Sequence, residues 1–369
     1  LVSKLPDRLD DEPRISWRKK LTSDSMGGLA ADDRLVVVTG RDPLDESDYY
    51  QAFDSRTGKR RWQLLVPAKG KLDYGNAPRA TPLLLEDRVI LLGAFGQLLS
   101  VARDSGVIQW QRDLRVDYPG ELPTWGYCGS PLHWEGKLLL QTTHPEANLV
   151  CLEASSGKEI WRSRTEGLAY SSFILRQLPN GLELIGYDSR SLGGWDAKTG
   201  ERKWAIRPKS SGDFNVPTPM LRGNQLWLAT ENNGTRRYQL PEQGSPGEPA
   251  AANQTLAPDS HTPVLIGDRI LGIWNGLHCL KADSLETLWS NEADEFGGYG
   301  SIIGSDNRAL ILTQYGDLIL LDLAGTEYRE LGRCRLVEAE EIETHAHPAL
   351  CGNRLYVRCG KELLCVELD

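Results

Sequence analysis

The sequence predicts an all-β fold, an eight-bladed antiparallel β-propeller whose ring is closed by an N-terminal strand joining the C-terminal blade. Three observations predict it. A Gly followed four residues later by Trp recurs along the chain, with successive Trp spacings of 48, 51 and 43 residues. A Ser/Thr-Pro or related marker leads each β-rich run, and the two chain ends supply complementary parts of one unit. Units of about 40–50 residues with four short strands each are the signature of a propeller.

In chain order, the first strand is 15–21 around Trp17, with no Pro-led strand ahead of it. Unit one starts near Gly28 and ends in Asp54-Ser55-Arg56-Thr57-Gly58 and Trp62. Unit two runs from Thr81-Pro82 through Asp104-Ser105-Gly106 to Trp110, and unit three from Ser130-Pro131 through Glu153 and Gly157 to Trp161. Pro at a strand start costs no central ladder bond, and Glu135-Gly136 between apolar runs reads as a hairpin turn. Unit four runs from Ser172 through Asp196 and Gly200 to Trp204. Unit five, from Thr218-Pro219, has lost its Trp and carries a Pro/Gly-rich loop at 241–249 in place of the Asp-Gly turn. Such a loop is flexible and solvent-facing, and reads as a tolerated insertion before it reads as a partner-binding loop. Unit six, from Thr262-Pro263, keeps Asp283 and Trp289 without the Gly; unit seven, from Ser301, has Asp322-Leu323-Ala324-Gly325 and no Trp. An acidic run at 338–343 before unit eight reads as a solvated loop. Unit eight starts at His347-Pro348 and stops at Asp369, one strand short. Trp17 and its neighbours supply that strand, which removes the open edges of an unclosed ring.

Composition agrees. The 369 residues suggest two or three domains of about 150 each. The repeat instead merges 14–369 into one domain and leaves 1–13 as an N-terminal extension. With 40% hydrophobic and 25% charged residues the chain can bury a sizeable core, which excludes a disordered or collagen-like protein. The balance of 42 Lys+Arg against 51 Asp+Glu, net −9, has the wrong sign for a general nucleic-acid or anionic-membrane binder. No apolar run approaches the roughly 18 residues of a spanning helix, so no transmembrane segment is expected. The chain opens at Leu1 with no charged-then-apolar leader, as for a signal segment already removed or a trimmed chain. Seven scattered Cys with no CxxC pair argue against a zinc site, and Cys151, Cys279 and Cys365 in apolar runs read as buried thiols.

The Asp-x-x-Thr-Gly-x-x-x-Trp pattern at Asp54 to Trp62 and at Asp196 to Trp204 resembles the repeat of the PQQ-like (quinoprotein alcohol dehydrogenase-like) eight-bladed propellers, over residues 14–369. The resemblance implies that Gly holds the tight turn between outer strands while Trp docks on the neighbouring blade. Those are structural roles for Trp17, Trp62, Trp110, Trp161, Trp204 and Trp289. Its enzyme branch implies a quinone cofactor under an adjacent Cys-Cys pair and a Ca²⁺ site of carboxylate and amide oxygens. This chain has no Cys-Cys dipeptide and less length for accessory loops, so neither PQQ nor Ca²⁺ is expected. Its BamB-like branch implies a non-catalytic scaffold for protein–protein interaction in the periplasm or cell envelope. The lipidated N-terminal Cys of that branch is absent from this sequence.

In a propeller, the loops leading into the innermost strands surround one mouth of the central channel. Here they carry rings and polar groups: Tyr74, Asn76, Tyr127, Tyr170, Asn215, His261, Tyr299, His345 and His347. They form the candidate binding site, a shallow funnel with aromatic walls. The plainer reading, weighed ahead of it, is that these amphipathic side chains merely plug the channel. His345 and His347 share one face of an extended segment, and His261 with Glu343 would complete a zinc-like set. An HxH pattern without geometry is weak, so no metal is predicted. No GxSxG or HExxH motif occurs, Gly93-Ala94-Phe95-Gly96 is a hairpin-type turn rather than a phosphate loop, and the basic run 56–61 reads as a solvated edge. The expected function is a non-catalytic binding or scaffolding module with protein partners. The alternatives are a quinoprotein oxidoreductase, or a small-ligand or carbohydrate sensor that uses the funnel.

Overall fold

The computed structural model describes residues 4–338 and 343–368. Leu1, Asp369 and the 339–342 portion of the acidic run lie outside the described residues. Among the described residues, eight sheets of four antiparallel strands each form the blades of a propeller. Blade 1 comprises Ala30–Ala31, Leu35–Val38, Ser47–Asp54 and Arg60–Pro67. The first strands of blades 8 and 1, 1 and 2, 4 and 5, and 6 and 7 touch, which places the first strands around the axis. They begin at Ala30, Leu83, Leu132, Ile174, Met220, Val264, Gly300 and Ala349, each within two residues of the start read from the sequence. Among the described residues, helix is confined to one short turn at Leu114–Asp117 and a 3-10 turn at Asp294–Phe296.

Ring closure follows the complementary ends. Arg14–Lys20 pairs antiparallel with Glu362–Glu367, Trp17 lying opposite Cys365, so the first strand is the outermost of blade 8. Residues 4–13 are not a free tail. Leu5 and Leu9 are buried with Leu320, Leu336 and Leu355 between blades 7 and 8, and Arg308 donates to the Pro6 carbonyl at 2.9 Å.

The Gly and the Trp of the repeat meet across blades rather than within one. A Cβ on Gly58 would lie 2.7 Å from the Trp17 ring, one on Gly106 2.8 Å from Trp62, and one on Gly157 2.7 Å from Trp110. Each glycine also has positive φ, so the position needs both the left-handed turn and the missing side chain. The indole N–H then donates to a carbonyl of the same turn: Trp17 to Ser55 at 3.1 Å, Trp62 to Arg103 at 2.8 Å, Trp110 to Ala154 at 3.0 Å and Trp161 to Ala197 at 3.2 Å. The two degenerate units are explained together. Blade 5 has Ala251 in the Trp register, so blade 6 can hold Leu285 at φ +58 in the glycine's place, and Asn253 Nδ2 donates to the Leu285 carbonyl at 2.8 Å. Trp227, from the second strand of blade 5, donates the docking bond to Ala282 instead, at 2.7 Å.

The Ser/Thr-Pro marker has a second role. The Thr81 N–H donates to Ser130 Oγ at 3.0 Å, Ser130 N–H to Ser172 Oγ at 3.0 Å, Ser172 N–H to Thr218 Oγ1 at 3.4 Å, and Thr218 N–H to Thr262 Oγ1 at 3.0 Å. A belt of hydroxyls therefore ties blades 2 to 6 around the channel. The same register holds Ser301 in blade 7, and His347 and Gly28 in blades 8 and 1, which bring no hydroxyl. All seven Cys are free thiols, five of them buried.

Candidate functional site

Antiparallel order puts two sets of loops at one end of the ring: those leading into first strands, and the turns joining second to third strands. Two aromatic clusters form there. Trp125 packs on Tyr170 with centroids 4.7 Å apart and meets Phe214 edge-on at 5.0 Å, joining the loops before blades 3, 4 and 5. Tyr299 stacks on His261 at 5.1 Å and meets His345 edge-on at 5.5 Å, joining the loops before blades 6, 7 and 8. Polar bonds fix the second cluster. His345 Nε2 is 2.9 Å from Glu343 Oε2, Gln314 Nε2 donates to Glu343 Oε1 at 2.9 Å, and Gln314 Oε1 accepts the Tyr299 N–H at 2.9 Å.

Tyr74 is 76% exposed, Phe214 50%, Tyr299 45% and Tyr315 40%. These are the exposed aromatic residues among the described residues, and all four stand at this end. Asn76 is half-buried and serves the scaffold: its Nδ2 donates to Asp45 Oδ2 at 2.6 Å and its Oδ1 accepts the Leu72 N–H. His347 is exposed to the channel. Two expectations are corrected. Tyr127 and Asn215 are each 2% exposed and present no surface to a ligand. The Tyr127 ring is drawn into the apolar core between blades 2 and 3, against Gly96. Asn215 turns inward at φ +54 and donates to the Asp188 carbonyl at 3.1 Å, bracing the loops of blades 4 and 5. The sequence reading missed Tyr315 and Leu44, which lie on turns between second and third strands. The available signal was a large apolar residue inside a turn, where polar residues are the rule.

His261 is the most perturbed histidine at the mouth. Its Nε2 accepts the Gly300 N–H at 2.9 Å, which assigns the ring proton to Nδ1, and Nδ1 is buried without a partner among the described residues. Burial pushes the imidazole down from 6.5 to about 4, against a weaker opposing pull from Asp259. Between those values the unfolded chain takes up a proton that the native state refuses. Stability is therefore complete above pH 6.5 and falls as pH drops toward 4, by up to about 3 kcal/mol. His261→Gln keeps a neutral acceptor for Gly300. Urea titrations at pH 7 and near pH 4.5 are expected to show a smaller acid loss in the variant than in the parent; equal losses would assign the acid sensitivity elsewhere.

Across the mouth, Glu231 accepts the Phe214 N–H at 2.6 Å, and its carboxyl is raised by burial, with Asp213 and Asp259 adding to the effect. Arg79 Nη2 donates to the carbonyls of Asp73 and Gly75, while its Nη1 is buried without a partner among the described residues. Cys128 donates to the Trp125 carbonyl, and burial pushes its thiol up to about 12. No group of three or more His, Cys, Asp or Glu is placed to hold a metal ion among the described residues.

A family model described as outer membrane protein assembly factor BamB matches residues 9–121 and 123–325. No curated protein sequence matches the chain. Among solved structures, the chain is similar to BamB from Moraxella catarrhalis, with 14% identity, 96% of this chain and 97% of that one covered, and a TM-score of 0.67. It is also similar to quinohemoprotein alcohol dehydrogenase from Comamonas testosteroni, with 12% identity, coverage of 100% and 78%, and a TM-score of 0.70. A computationally designed protein, Ika8, shares the fold at 11% identity and a TM-score of 0.63. Likeness at such identities is likeness of fold.

Proposed function

Because the chain belongs to the PQQ-like propeller family of the outer membrane protein assembly factor BamB, we propose that it is a non-catalytic scaffold that docks a protein partner on its channel-mouth face, in the periplasm or cell envelope. One observation carries this reading: the four exposed aromatic residues among the described residues, Tyr74, Phe214, Tyr299 and Tyr315, share that face, and Leu44 stands there at 77% exposure. Aromatic side chains dominate the anchoring positions of protein interfaces. A large apolar residue held in water is a cost to the free protein that a partner removes.

The residues at the mouth do not fit the quinone of the enzyme branch. Cys128 stands alone with its thiol bonded to the backbone, and Trp125 is already covered by Tyr170 and Phe214. The test compares the parent with a Tyr74→Ala/Phe214→Ala/Tyr299→Ala variant in quantitative co-purification from native extract. Three anchor truncations at about 1–2 kcal/mol each are expected to lower partner recovery more than tenfold. Equal recovery would reject the mouth as the docking face. Dye-linked alcohol oxidation after adding PQQ and Ca²⁺ would reject the scaffold reading altogether.

A further inference from the structure

The repeat supplies its own baseline, because five turns between third and outer strands can be laid over one another. Between the position two before the turn residue and the one before Trp, blade 2 carries Asp104 and blade 6 carries Asp283 and Glu286. Blade 3 balances Lys158 against Glu159, and blade 4 sets Lys198, Arg202 and Lys203 against Glu201. Blade 1 alone among these five has only cations: Arg56, Lys59, Arg60 and Arg61. The Gly-Trp docking that the turn serves is the same in its neighbours, so it does not require them.

The blade 1 turn borders a recess of about 470 Å³ at the end of the ring opposite the mouth, lined by Arg34, Arg56, Arg61 and Arg103 with Asp33, Asp54 and Asp104. Three of the four guanidiniums are held by carboxylates: Arg34 by Asp104 at 2.9 Å, Arg61 by Asp54 at 2.5 Å, and Arg103 by Asp32. Asp54 is itself saturated. Burial raises its carboxyl, but hydrogen bonds from Thr57 and Arg61 outweigh that and bring it down to about 2. Arg56, Lys59 and Arg60 are exposed and have no carboxylate within ion-pair distance among the described residues. The stem of Lys19, from the outer strand of blade 8, lies over Gly58 and adds a further cation. A cationic recess on a chain of net charge −9 is a local reversal of sign.

We infer that this recess, formed by blades 1 and 2, is a second interaction surface that takes an acidic, extended segment of a protein partner. Its carboxylates would pair with Arg56 on the recess wall and with the exposed Arg60 of the same turn, and exchange with Asp104 on the exposed Arg34. A concave site with Asp33 and Asp104 on its wall suits a chain that threads between those charges. It suits a flat anionic bilayer poorly, because the bilayer would press on both aspartates. The surface is separate from the channel mouth, so either can fail without the other.

The probe is a fluorescein-labelled synthetic peptide of alternating Glu and Gly, read by fluorescence anisotropy against the same peptide with Gln for Glu. The Glu peptide alone is expected to bind, weakening as salt rises to about 0.3 M. Arg56→Glu/Arg60→Glu is expected to weaken it about tenfold or more at an unchanged melting temperature. If that variant melts lower, Arg56→Gln/Arg60→Gln replaces it. The Tyr74→Ala/Phe214→Ala/Tyr299→Ala variant is expected to bind the peptide as the parent does. Equal binding of the Gln peptide, or unchanged binding by the Arg56/Arg60 variants, would overturn the inference. So would phosphatidylglycerol vesicles that bind more tightly than the peptide and depend on Arg56 and Arg60.

Discussion

Trp17→Ala is expected to destabilise the protein by about 3–5 kcal/mol, the range for emptying a large aromatic site in a packed core. Trp17 is the closing residue of the ring. It is buried with Tyr356, Leu363 and Cys365 of blade 8 and with Val36, Val38 and Phe53 of blade 1, and its indole caps the Gly58 turn. The packing term dominates this cost. The Ser55 carbonyl that accepts the indole N–H at 3.1 Å also accepts the Tyr356 hydroxyl at 3.0 Å, so it keeps a partner in the variant. Trp110, half-buried in the same role between blades 2 and 3, is expected to cost less when truncated. Urea unfolding of the two variants side by side checks this ordering. Equal losses would mean that the closing seam is no more demanding than an ordinary one, while a loss below about 1 kcal/mol at Trp17 would mean that strand pairing with 362–367 closes the ring without it.

What the sequence made legible was whatever repeats. Eight starts, the lost Trp of unit five, the missing Gly of unit six and the borrowed strand at Trp17 were all readable, because each is a departure from, or a copy of, one pattern. Partnerships between copies were not readable. Gly58 and Trp62 are four residues apart, yet Gly58 serves Trp17 and Trp62 serves Gly106. The paired loss of a Trp at Ala251 and a Gly at Leu285 was the trace of that arrangement. The hydroxyl belt was hidden behind Pro, which accounts for a strand start and leaves the Thr or Ser before it unexplained. At the mouth, the loops were located but not the side chains. Loop residues follow no period, so nothing in the chain distinguished Tyr74, which points into solvent, from Tyr127, which the blade 2–3 core absorbs.

Arg176→Met is expected to cost about 3–5 kcal/mol, because it breaks a buried ion pair from one side only. Arg176 and Glu183 meet at 3.0 Å with side chains 2% and 6% exposed. The pair stands at the blade 4–5 seam, where the usual docking is missing: blade 5 has no glycine turn, and the Trp204 N–H donates instead to Glu183 Oε1 at 2.7 Å. The guanidinium makes the crossing, donating to Asn224 Oδ1 at 2.9 Å and to the Pro241 carbonyl at 2.9 Å. Removing it leaves Glu183 as a buried charge without its counter-ion and takes donors from three blade 5 oxygens, the Leu240 carbonyl included. Glu183→Gln alone keeps an acceptor for Trp204 and leaves Arg176 among those oxygens, so its cost is expected to be smaller. The double variant Arg176→Met/Glu183→Gln carries no uncompensated charge and is expected to recover about 2 kcal/mol relative to Arg176→Met. Urea titrations of the four proteins in the cycle measure that coupling. If the single and double variants prove equally unstable, the cost lies in the oxygens of blade 5, and the seam is held by the hydrogen bonds of Arg176 rather than by its charge.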